Sequence, residues 1–299
     1  MSNEHKETIL SYQITEKDEG RLDILLSTVW GITRSFAQKI IKDNLIVCES
    51  PLVLKILPPI GTILSFTYPD TSLQPLSSKN FDILFEGEDF FIINKYAGIS
   101  VYPGSGKKDK TLVQELIYHY PYLKNLDPIR PGIVHRLDQF TSGVMIITKT
   151  LESLKIFQDL FKEQKIEKIY HCLIKGHLNF VEYMIHTPFG NSKHNFQKKT
   201  SLCEGIPEAK TLVKTLEKYS QHSLLEVQIF SGKTHQIRVH LSEQLKKPIL
   251  GDFLYGTAKQ YSRYYLHSYS LKFVYKNKEY FFQAPYDSDF LERITQCKR

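Results

Sequence analysis

The sequence predicts an α+β protein with a sizeable sheet and a few helices. Segments with the alternation or the apolar runs of strands outnumber segments of helical periodicity, and the two kinds are interspersed. With 41% apolar and 24% charged residues in a chain of 299, there is room for a large and a small globular domain. Residues 68–79 are rich in Pro, Ser and Thr, which is typical of a linker. We expect a small domain over 1–70, a linker over 71–80 and a large domain over 81–299.

The segment before the linker predicts two helices followed by two strands. A short helix is expected over Gly20–Leu26. A second is expected over Thr33–Asn44, whose threonine can cap the N-terminus and whose asparagine can end the helix. Leu45–Cys48 and Thr62–Thr67 are short apolar runs next to turn residues, so both are predicted to be strands.

The large domain is predicted to begin with a hairpin and to continue with mixed strands and helices. Its expected strands are short apolar or alternating runs, namely Phe81–Phe85, Phe90–Asn94, Val144–Thr148, Lys165–Ile174 and Ser223–Phe230. A helix over Thr111–Tyr120 starts with a capping box, another begins at Leu151, and Thr234 is expected to cap a third. Alternation places Lys168 and Tyr170 on the same face of their strand.

The net charge of +7 favours a polyanionic partner, bound mainly by the second segment. Residues 1–70 hold 7 Lys and Arg against 9 Asp and Glu, whereas residues 71–299 hold 32 against 23. No apolar run is long enough to span a membrane, and the polar start does not resemble a signal peptide. The four cysteines lie far apart, so we expect reduced thiols in the cytoplasm rather than disulfides or zinc ligands.

Two polar clusters carry the candidate chemistry. In Arg130–Gly143, basic residues and the carboxylate of Asp138 precede a buried strand, where catalytic groups are common. Taken alone, Asp138 can equally form a turn, with Arg136 as its surface partner. In Ser231–Leu241, Arg238 lies beside the apolar stripe of a predicted helix. A partly buried guanidinium needs an anion, and Asp138 is the candidate.

The histidines of the second cluster are the other feature to interpret. His235 and His240 have no third ligand at a sensible spacing, so polar histidines on a helix are a better interpretation than a metal site.

Several blocks of the chain resemble, in order, the motifs of the RluA family of RNA pseudouridine synthases. His135-Arg-Leu-Asp-x-x-Thr-Ser-Gly143 is similar to the family signature. The other blocks that match family motifs are Lys95–Gly98, Lys168–Tyr170, Thr234–His240, Pro248–Gly256 and Leu266–Ser268. The resemblance runs from about Phe81 to about Phe290 and departs at Tyr96, where proline is usual, and at Lys233, where arginine is usual.

The first segment resembles an S4 RNA-binding domain, from Gly20-Arg-Leu-Asp23 through Arg34-Ser35 to Gly61. Asn44 stands where that family has a glycine, and Glu49-Ser50 replaces an Asn-Gly turn. The resemblance therefore implies a small α/β domain of the S4 type in degenerate form.

The resemblance implies an isomerase that needs no cofactor or metal and converts uridine to pseudouridine in structured RNA. Asp138 is the implied catalytic carboxylate, Arg238 its ion-pair partner, and Tyr170 the residue that stacks on the flipped uracil. The residues expected to contact RNA are Arg136, His135, Lys168, Lys233, Arg34, Lys39, Lys42, Lys198 and Lys199, the last two in a basic loop with Lys193 and His194. For Lys168, the basic loop and the second helix, a solvated surface is the alternative interpretation.

The substrate implied by an S4-like prefix is large-subunit ribosomal RNA, with transfer RNA as an alternative. A catalytically silent RNA-binding or ribosome-assembly protein is a second alternative, although a pure binder has no use for an interior carboxylate. A glycoside hydrolase requires a second carboxylate, and neither motif supplies one. The protein is expected to act as a monomer.

Overall fold

The computed structural model describes Ile9 to Arg299 apart from residues 31, 33, 68–72, 104–109, 127–129, 193–194, 196–197, 207 and 257–260. The predicted helix cap Thr33, part of the expected linker, and Lys193 and His194 of the basic loop therefore lie outside the described residues. The chain divides into two compact units, a first that includes the residues up to Gln74 and a second that comprises Pro75–Leu126 and Arg130–Arg299. Each unit has a hydrophobic core of its own.

The first unit combines two helices with a two-stranded antiparallel sheet. Its elements are β1 (Ile9–Gln13), α1 (Leu22–Val29), α2 (Arg34–Lys42) and β2 (Ile63–Thr67), and β1 pairs with β2. Leu26, Ile40 and Phe66 are buried in its core. Both helices occur where the apolar periodicity predicts them, because that periodicity places one face of each helix in this core.

The strands of the first unit differ from the prediction. Residues 45–48 are not a strand, and only Val47 forms a bridge, to Ser65 of β2. The apolar run is misleading because Leu45 and Val47 are exposed, and because Asn44 ends α2 in a left-handed conformation with a φ of 51°. β1 is absent from the prediction because its side chains are only half-buried or exposed, within a polar stretch.

A buried carboxylate joins the two helices of this unit. Asp23 of α1 is fully buried and accepts hydrogen bonds from Arg21 (2.8 Å), Arg34 (2.9 Å) and Gln38 (2.6 Å). The hydrogen bond from Arg21, with those from Gln38 and Arg34, outweighs burial and holds the pKa of Asp23 well below its usual value. Arg34, predicted to contact RNA, therefore has a structural partner within its own unit.

The second unit is built on a large sheet. The strands of this unit are β3 (Phe81–Glu86), β4 (Phe90–Lys95), β5 (Ser142–Thr148), β6 (Glu167–Lys175), β7 (Glu182–Thr187), β8 (Gly190–Asn191), β9 (Lys199–Thr200), β10 (Ala209–Lys218), β11 (His222–Ile229), β12 (Leu266–Tyr275) and β13 (Lys278–Gln283). β8 and β9 form a small hairpin that is separate from the large sheet. The sheet order is β3-β4-β5-β12-β6-β11-β10-β7, and β13 pairs with β12 beside this path. Only the β5–β12 pair is parallel among these, so the sheet is mixed and the predicted α+β class is confirmed.

Helices cover this sheet and complete its core. They are α3 (Leu112–His119), α4 (Leu151–Lys162), the short α5 (Gln236–Val239), which continues into a π-helical turn over His240–Gln244, and α6 (Ser288–Lys298). Phe157 of α4 packs with Phe90 and Phe273 of the sheet, and Phe290 of α6 packs with Leu173 of β6. None of the helices in the described ranges combines the length and the apolar character needed to cross a bilayer.

The helix starts agree with the prediction at α3 and differ at α5. The predicted capping box of α3 is confirmed, since the Gln114 side chain accepts a hydrogen bond from the Thr111 backbone N–H at 3.0 Å. Thr234 does not cap α5, which begins at Gln236 after His235 in a left-handed conformation, φ 62°. The side-chain oxygen of Gln236 instead accepts a hydrogen bond from the Lys233 N–H at 3.1 Å and organises the turn itself.

Gly143 allows the parallel pairing of β5 and β12. In that pairing Ser142 and Gly143 lie beside His267 and Ser268. Gly143 has a φ of +112°, and a Cβ at this position would lie 2.1 Å from the carbonyl oxygen of Ser268. Only glycine fits this position, because any side chain meets a neighbouring backbone that cannot move away without breaking the sheet.

Gly143→Ala should lower the free energy of unfolding by roughly 2–5 kcal/mol, from backbone strain and overpacking together. Urea denaturation followed by circular dichroism measures the effect. Gly232→Ala is the matched control, because a Cβ there meets nothing within 4 Å and should change stability little. Equal stabilities of the two variants would contradict this account of Gly143.

Candidate active site

The loop before β5 presents the carboxylate of Asp138 to a cavity. Leu137 is buried beneath it, and the Thr141 N–H donates to the Asp138 main-chain carbonyl at 3.1 Å to close a turn. Because the backbone carbonyl closes the turn, the side chain is not needed for it. The loop geometry therefore argues against the alternative that Asp138 only forms a turn.

Arg238 of α5 lies between two carboxylates. Its Nη1 is 3.3 Å from Asp138 Oδ2, so the contact expected from the sequence is present. The closer partner is Asp252, which accepts hydrogen bonds from Arg238 Nε at 2.8 Å and from Nη2 at 3.0 Å. Asp252 is fully buried and also accepts from the N–H groups of Leu254 and Tyr255. This second carboxylate was not predicted, although it lies in the Pro248–Gly256 block.

Two tyrosine rings enclose the guanidinium of Arg238. Its Cζ lies 4.2 Å from the ring centroid of Tyr264 and 5.1 Å from that of Tyr255. Burial disfavours the cation, but the hydrogen bonds to Asp252 and the nearby negative charges outweigh it and raise the pKa of Arg238. The site therefore holds a permanent positive charge with a fixed orientation next to Asp138.

His235 connects Asp138 to Tyr255. Its Nε2 lies 3.7 Å from Asp138 Oδ2, and its Nδ1 shares a hydrogen bond of 2.9 Å with the Tyr255 hydroxyl. Burial lowers the pKa of His235, so the ring is neutral at pH 7. The interpretation of His235 as a polar histidine on a helix is wrong, because this residue precedes α5 and lines the cavity.

His240 is a structural histidine. It is fully buried and forms hydrogen bonds with Thr187 (3.1 Å) and Thr211 (2.9 Å). Within the described part of the chain, no three His, Cys, Asp or Glu side chains are grouped in a way that could hold a metal ion.

β6 supplies two further side chains to the same cavity. Lys168 and Tyr170 share a face, as the alternation predicts, and both are buried, because β6 lies in the middle of the sheet between β12 and β11. Burial raises the pKa of the Tyr170 phenol to about 12 and lowers the pKa of Lys168. The Lys168 ammonium lies 6.0 Å from the ring centroid of Phe161.

The buried side chain of Lys95 holds the Asp138 loop from the side of β4. Lys95 is fully buried and donates to the carbonyl oxygens of Tyr96 (2.8 Å), Ile99 (3.0 Å) and Gln139 (3.2 Å). The Gly98 N–H also donates to the Gln139 carbonyl, at 2.9 Å. The Lys95–Gly98 block therefore positions the residue that follows Asp138.

The cavity formed by these residues has a volume of about 890 Å³. Asp138, Tyr170 and Arg238 line it together with Lys168 and Arg136. The structure thus brings the three predicted catalytic residues to one cavity, whose size suits a nucleoside and its neighbours.

The predicted RNA-contact residues have different environments. His135 accepts a hydrogen bond from the Ile146 N–H at 2.9 Å, and burial lowers its pKa to about 3, so it supports the loop as a neutral ring. Lys233 pairs with Glu208 at 2.5 Å, whereas Arg136 is exposed.

The basic loop and α2 provide the other predicted contacts. The Lys199 backbone N–H donates to the Tyr255 hydroxyl at 2.8 Å, and the Lys198 ammonium lies 5.8 Å from the Tyr255 ring centroid. Lys39 and Lys42 are exposed on α2 in the first unit.

Comparison with known proteins decides the family. The model of the RNA pseudouridylate synthase family matches residues 89–243. An uncharacterised RNA pseudouridine synthase of Synechocystis is 37% identical over 235 residues, which are 75% of this chain and 70% of the relative. A ribosomal large subunit pseudouridine synthase D of Borreliella burgdorferi is 34% identical over 218 residues, 70% of this chain and 67% of the relative. The chain belongs to the RluA family of RNA pseudouridine synthases.

Its fold agrees with this family. The human RNA Pseudouridylate Synthase Domain Containing 1 superposes with a TM-score of 0.59 at 24% identity, covering 75% of this chain and 96% of that structure. As a pseudouridine synthase, the protein is an isomerase that acts on RNA.

In this RluA-family enzyme, Asp252→Asn should lower kcat by about 100-fold, because a neutral amide no longer fixes Arg238 and a displacement of the guanidinium misplaces Asp138. Initial rates of pseudouridine formation at saturating RNA measure the change. Asp89→Asn is the matched control, since Asp89 pairs with Lys276 at 3.0 Å outside the cavity. An unchanged kcat for Asp252→Asn would show that the bidentate pair is dispensable.

Proposed function

We propose that this enzyme isomerises specific uridines of large-subunit ribosomal RNA to pseudouridine, with Asp138 as the catalytic carboxylate. The observation that carries the proposal is the contact of Asp138 with Arg238, whose position Asp252 fixes independently. A carboxylate in a cavity, with a permanent cation at 3.3 Å, is suited to electron-poor carbon centres of a nucleoside.

The reaction breaks the N1–C1′ bond of uridine, turns the uracil and joins C5 to C1′. It is redox-neutral: C5 loses a proton as the new bond is completed, and N1, which no longer carries the sugar, gains one. Attack of the carboxylate on the sugar, attack on the base, and removal of a sugar proton all require the ionised form of Asp138. Arg238 places its positive charge 3.3 Å from that carboxylate.

Tyr170 is proposed to stack on the extruded uracil. Its ring lines the same cavity as Asp138, and burial raises the pKa of its phenol to about 12. A phenol with this pKa stays protonated at neutral pH and is a weak base. The environment of Tyr170 therefore favours stacking over removal of the C5 proton.

A uridine leaves its stack to reach Asp138, at a cost of a few kcal/mol. Positive side chains at the mouth of the cavity offset part of that cost by binding phosphates. Arg136, which is exposed, is proposed for this role, and the buried Lys168 is proposed to add positive charge inside the cavity, since both line it and neither forms an ion pair with a described carboxylate. Lys198 and Lys199 lie near the cavity through their contacts with Tyr255 and are proposed to contact the flanking backbone.

Large-subunit ribosomal RNA is proposed as the substrate on two grounds. The Borreliella relative is called a ribosomal large subunit pseudouridine synthase D. The first unit also resembles an S4 domain in sequence and presents the exposed lysines of α2. We propose residues 1–70 as a degenerate S4-like RNA-binding domain, residues 71–80 as the linker and residues 81–299 as the catalytic domain.

Asp138→Asn should reduce isomerisation by at least about 10³-fold while RNA binding is retained, because the amide keeps the shape but loses the charge. Pseudouridines are mapped in ribosomal and transfer RNA of cells that lack the protein and carry either the wild-type or the variant gene. We expect one or more large-subunit sites that appear with the wild type and not with Asp138→Asn.

The other outcomes of this mapping are distinct. Wild-type-dependent sites in transfer RNA alone would replace the proposed substrate. Normal modification by Asp138→Asn would refute the catalytic assignment, and RNA binding without any wild-type-dependent site would favour the silent RNA-binding protein.

Replacing Lys39 and Lys42 by Gln should weaken RNA binding and reduce the slope of log K against log salt by about 1.4–1.8, or 0.7–0.9 per phosphate contact. Fluorescence anisotropy over a salt series provides the slope. The matched control replaces Lys17 and Lys55, which are also exposed in the first unit. Equal slopes for both double variants and the wild type would mean that α2 does not contact RNA.

A further inference from the structure

Another cavity in the second unit is lined by basic residues. It has a volume of about 860 Å³ and lies where β6 ends and β11 begins, next to the chain that follows the π-helical turn. Its lining includes Lys175, His177, His222, Lys246 and Lys247, and we call the cavity lined by these five residues the basic groove. No Asp or Glu is among the described residues that line it.

The lysines of the basic groove lack the partners that lysines have elsewhere in the unit. Lys149 and Lys214, for example, lie 3.3 and 3.2 Å from the carboxylates of Glu86 and Glu182. Among the described residues, no carboxylate forms an ion pair with any of the three groove lysines. Their charges are therefore available to an external anion.

The surroundings of His222 are positive as well. Burial lowers the pKa of His222, and Lys175, Arg293 and His177 lower it further. No negative group among its neighbours acts in the opposite direction. An anion bound in the basic groove supplies the compensation that the protein itself does not.

The backbone around the basic groove is held in special conformations. Lys246 has a φ of 55°, unusual for a residue with a side chain, and Gly176 has a φ of 80°. A Cβ at position 176 would lie 2.8 Å from Lys247 Nζ, so a glycine there leaves room for the ammonium. His177 Nδ1 is oriented by a hydrogen bond of 3.0 Å with Ser223 Oγ. The cations are thus arranged around the space before a ligand binds.

We propose that the basic groove binds backbone phosphates of the RNA that flanks the target uridine. Lys168 in the catalytic cavity and Lys175 in the groove are seven positions apart on β6, which corresponds to about 23 Å at about 3.3 Å per residue, and the odd spacing turns their side chains to opposite faces of the strand. RNA that reaches both sites therefore passes around the end of β6 over several nucleotides. The groove therefore contacts the flank of the substrate and not the nucleoside that reacts. The proposal rests on RNA as the substrate of the proposed function.

The test replaces the three groove lysines by Gln and measures RNA binding over a salt series. The probes are two hairpin RNAs with the same loop and stem: the long hairpin carries a single-stranded tail of about ten nucleotides, which can pass around the end of β6 to the groove, and the short hairpin carries no tail. The control replaces three exposed lysines that line neither cavity, namely Lys124, Lys155 and Lys278.

With the long hairpin, the groove variant should show a slope of log K against log salt smaller by about 2–3 than the wild type. Raising the salt from 50 to 200 mM should therefore weaken RNA binding by a factor that is roughly 30 times smaller for the groove variant than for the wild type. With the short hairpin, the slopes of both proteins should agree. The control variant should match the wild type on both hairpins.

Three results overturn the proposal: an unchanged slope with the long hairpin, an equal decrease with the short one, or the same decrease in the control variant. Binding of inorganic phosphate that the hairpins do not displace would identify a site for a small anion instead.

The kcat of pseudouridine formation at saturating RNA separates a failure of the groove proposal from a failure of the proposed function. It should be the same in the groove variant and the wild type, whereas an inactive wild type would refute the function itself.

Discussion

The cavity of the second unit depends on a buried guanidinium whose charge is satisfied from two sides. A buried cation is costly unless it is paired and hydrogen-bonded, and Arg238 meets this condition through the bidentate contact with Asp252. Two tyrosine rings enclose the same group and exclude water from it. Only Nη1 is directed to Asp138. Asp138 therefore meets a cation whose position is already determined, which is the preorganisation that catalysis of a charged step requires.

The loop that carries Asp138 has no regular secondary structure, so contacts from other elements hold it in place. Lys95 binds the carbonyl oxygen of Gln139, directly after Asp138. At the end of the loop, the Ser142 hydroxyl shares a hydrogen bond of 2.9 Å with His267 of β12. Since β4 and β12 are the two neighbours of β5, the sheet holds the loop on both sides of the strand into which it leads. The sequence blocks around Lys95 and His267 are thereby connected to Asp138 in space.

The sequence predicts the parts of this arrangement that depend on local patterns. Apolar or alternating runs predict β3, β4, β5, β6 and β11 but not β10 or β12, and the cost of a buried charge predicts that Arg238 needs an anion, with Asp138 as a candidate. Asp252 and Tyr264 were missed because the choice among partners depends on tertiary distances that spacing does not show. The start of α5 was misplaced for a similar reason, since a glutamine side chain organises the turn that the hydroxyl of Thr234 was expected to cap. The exposed run at 45–48 resembles a strand in composition, but burial decides the outcome.

The positive charge of the second segment is useful to the enzyme only where it is left unpaired. Many lysines of the unit, such as Lys149 and Lys214, are neutralised by carboxylates on neighbouring strands and loops. In the cavity, Asp138 and Asp252 together outweigh the charge of Arg238, so the pairing alone leaves a negative site that repels a phosphate backbone. Additional cations must offset this repulsion if RNA is to bring a uridine to Asp138. Arg136 and Lys168 line the cavity without a described ion-pair partner, and we propose that they supply that charge.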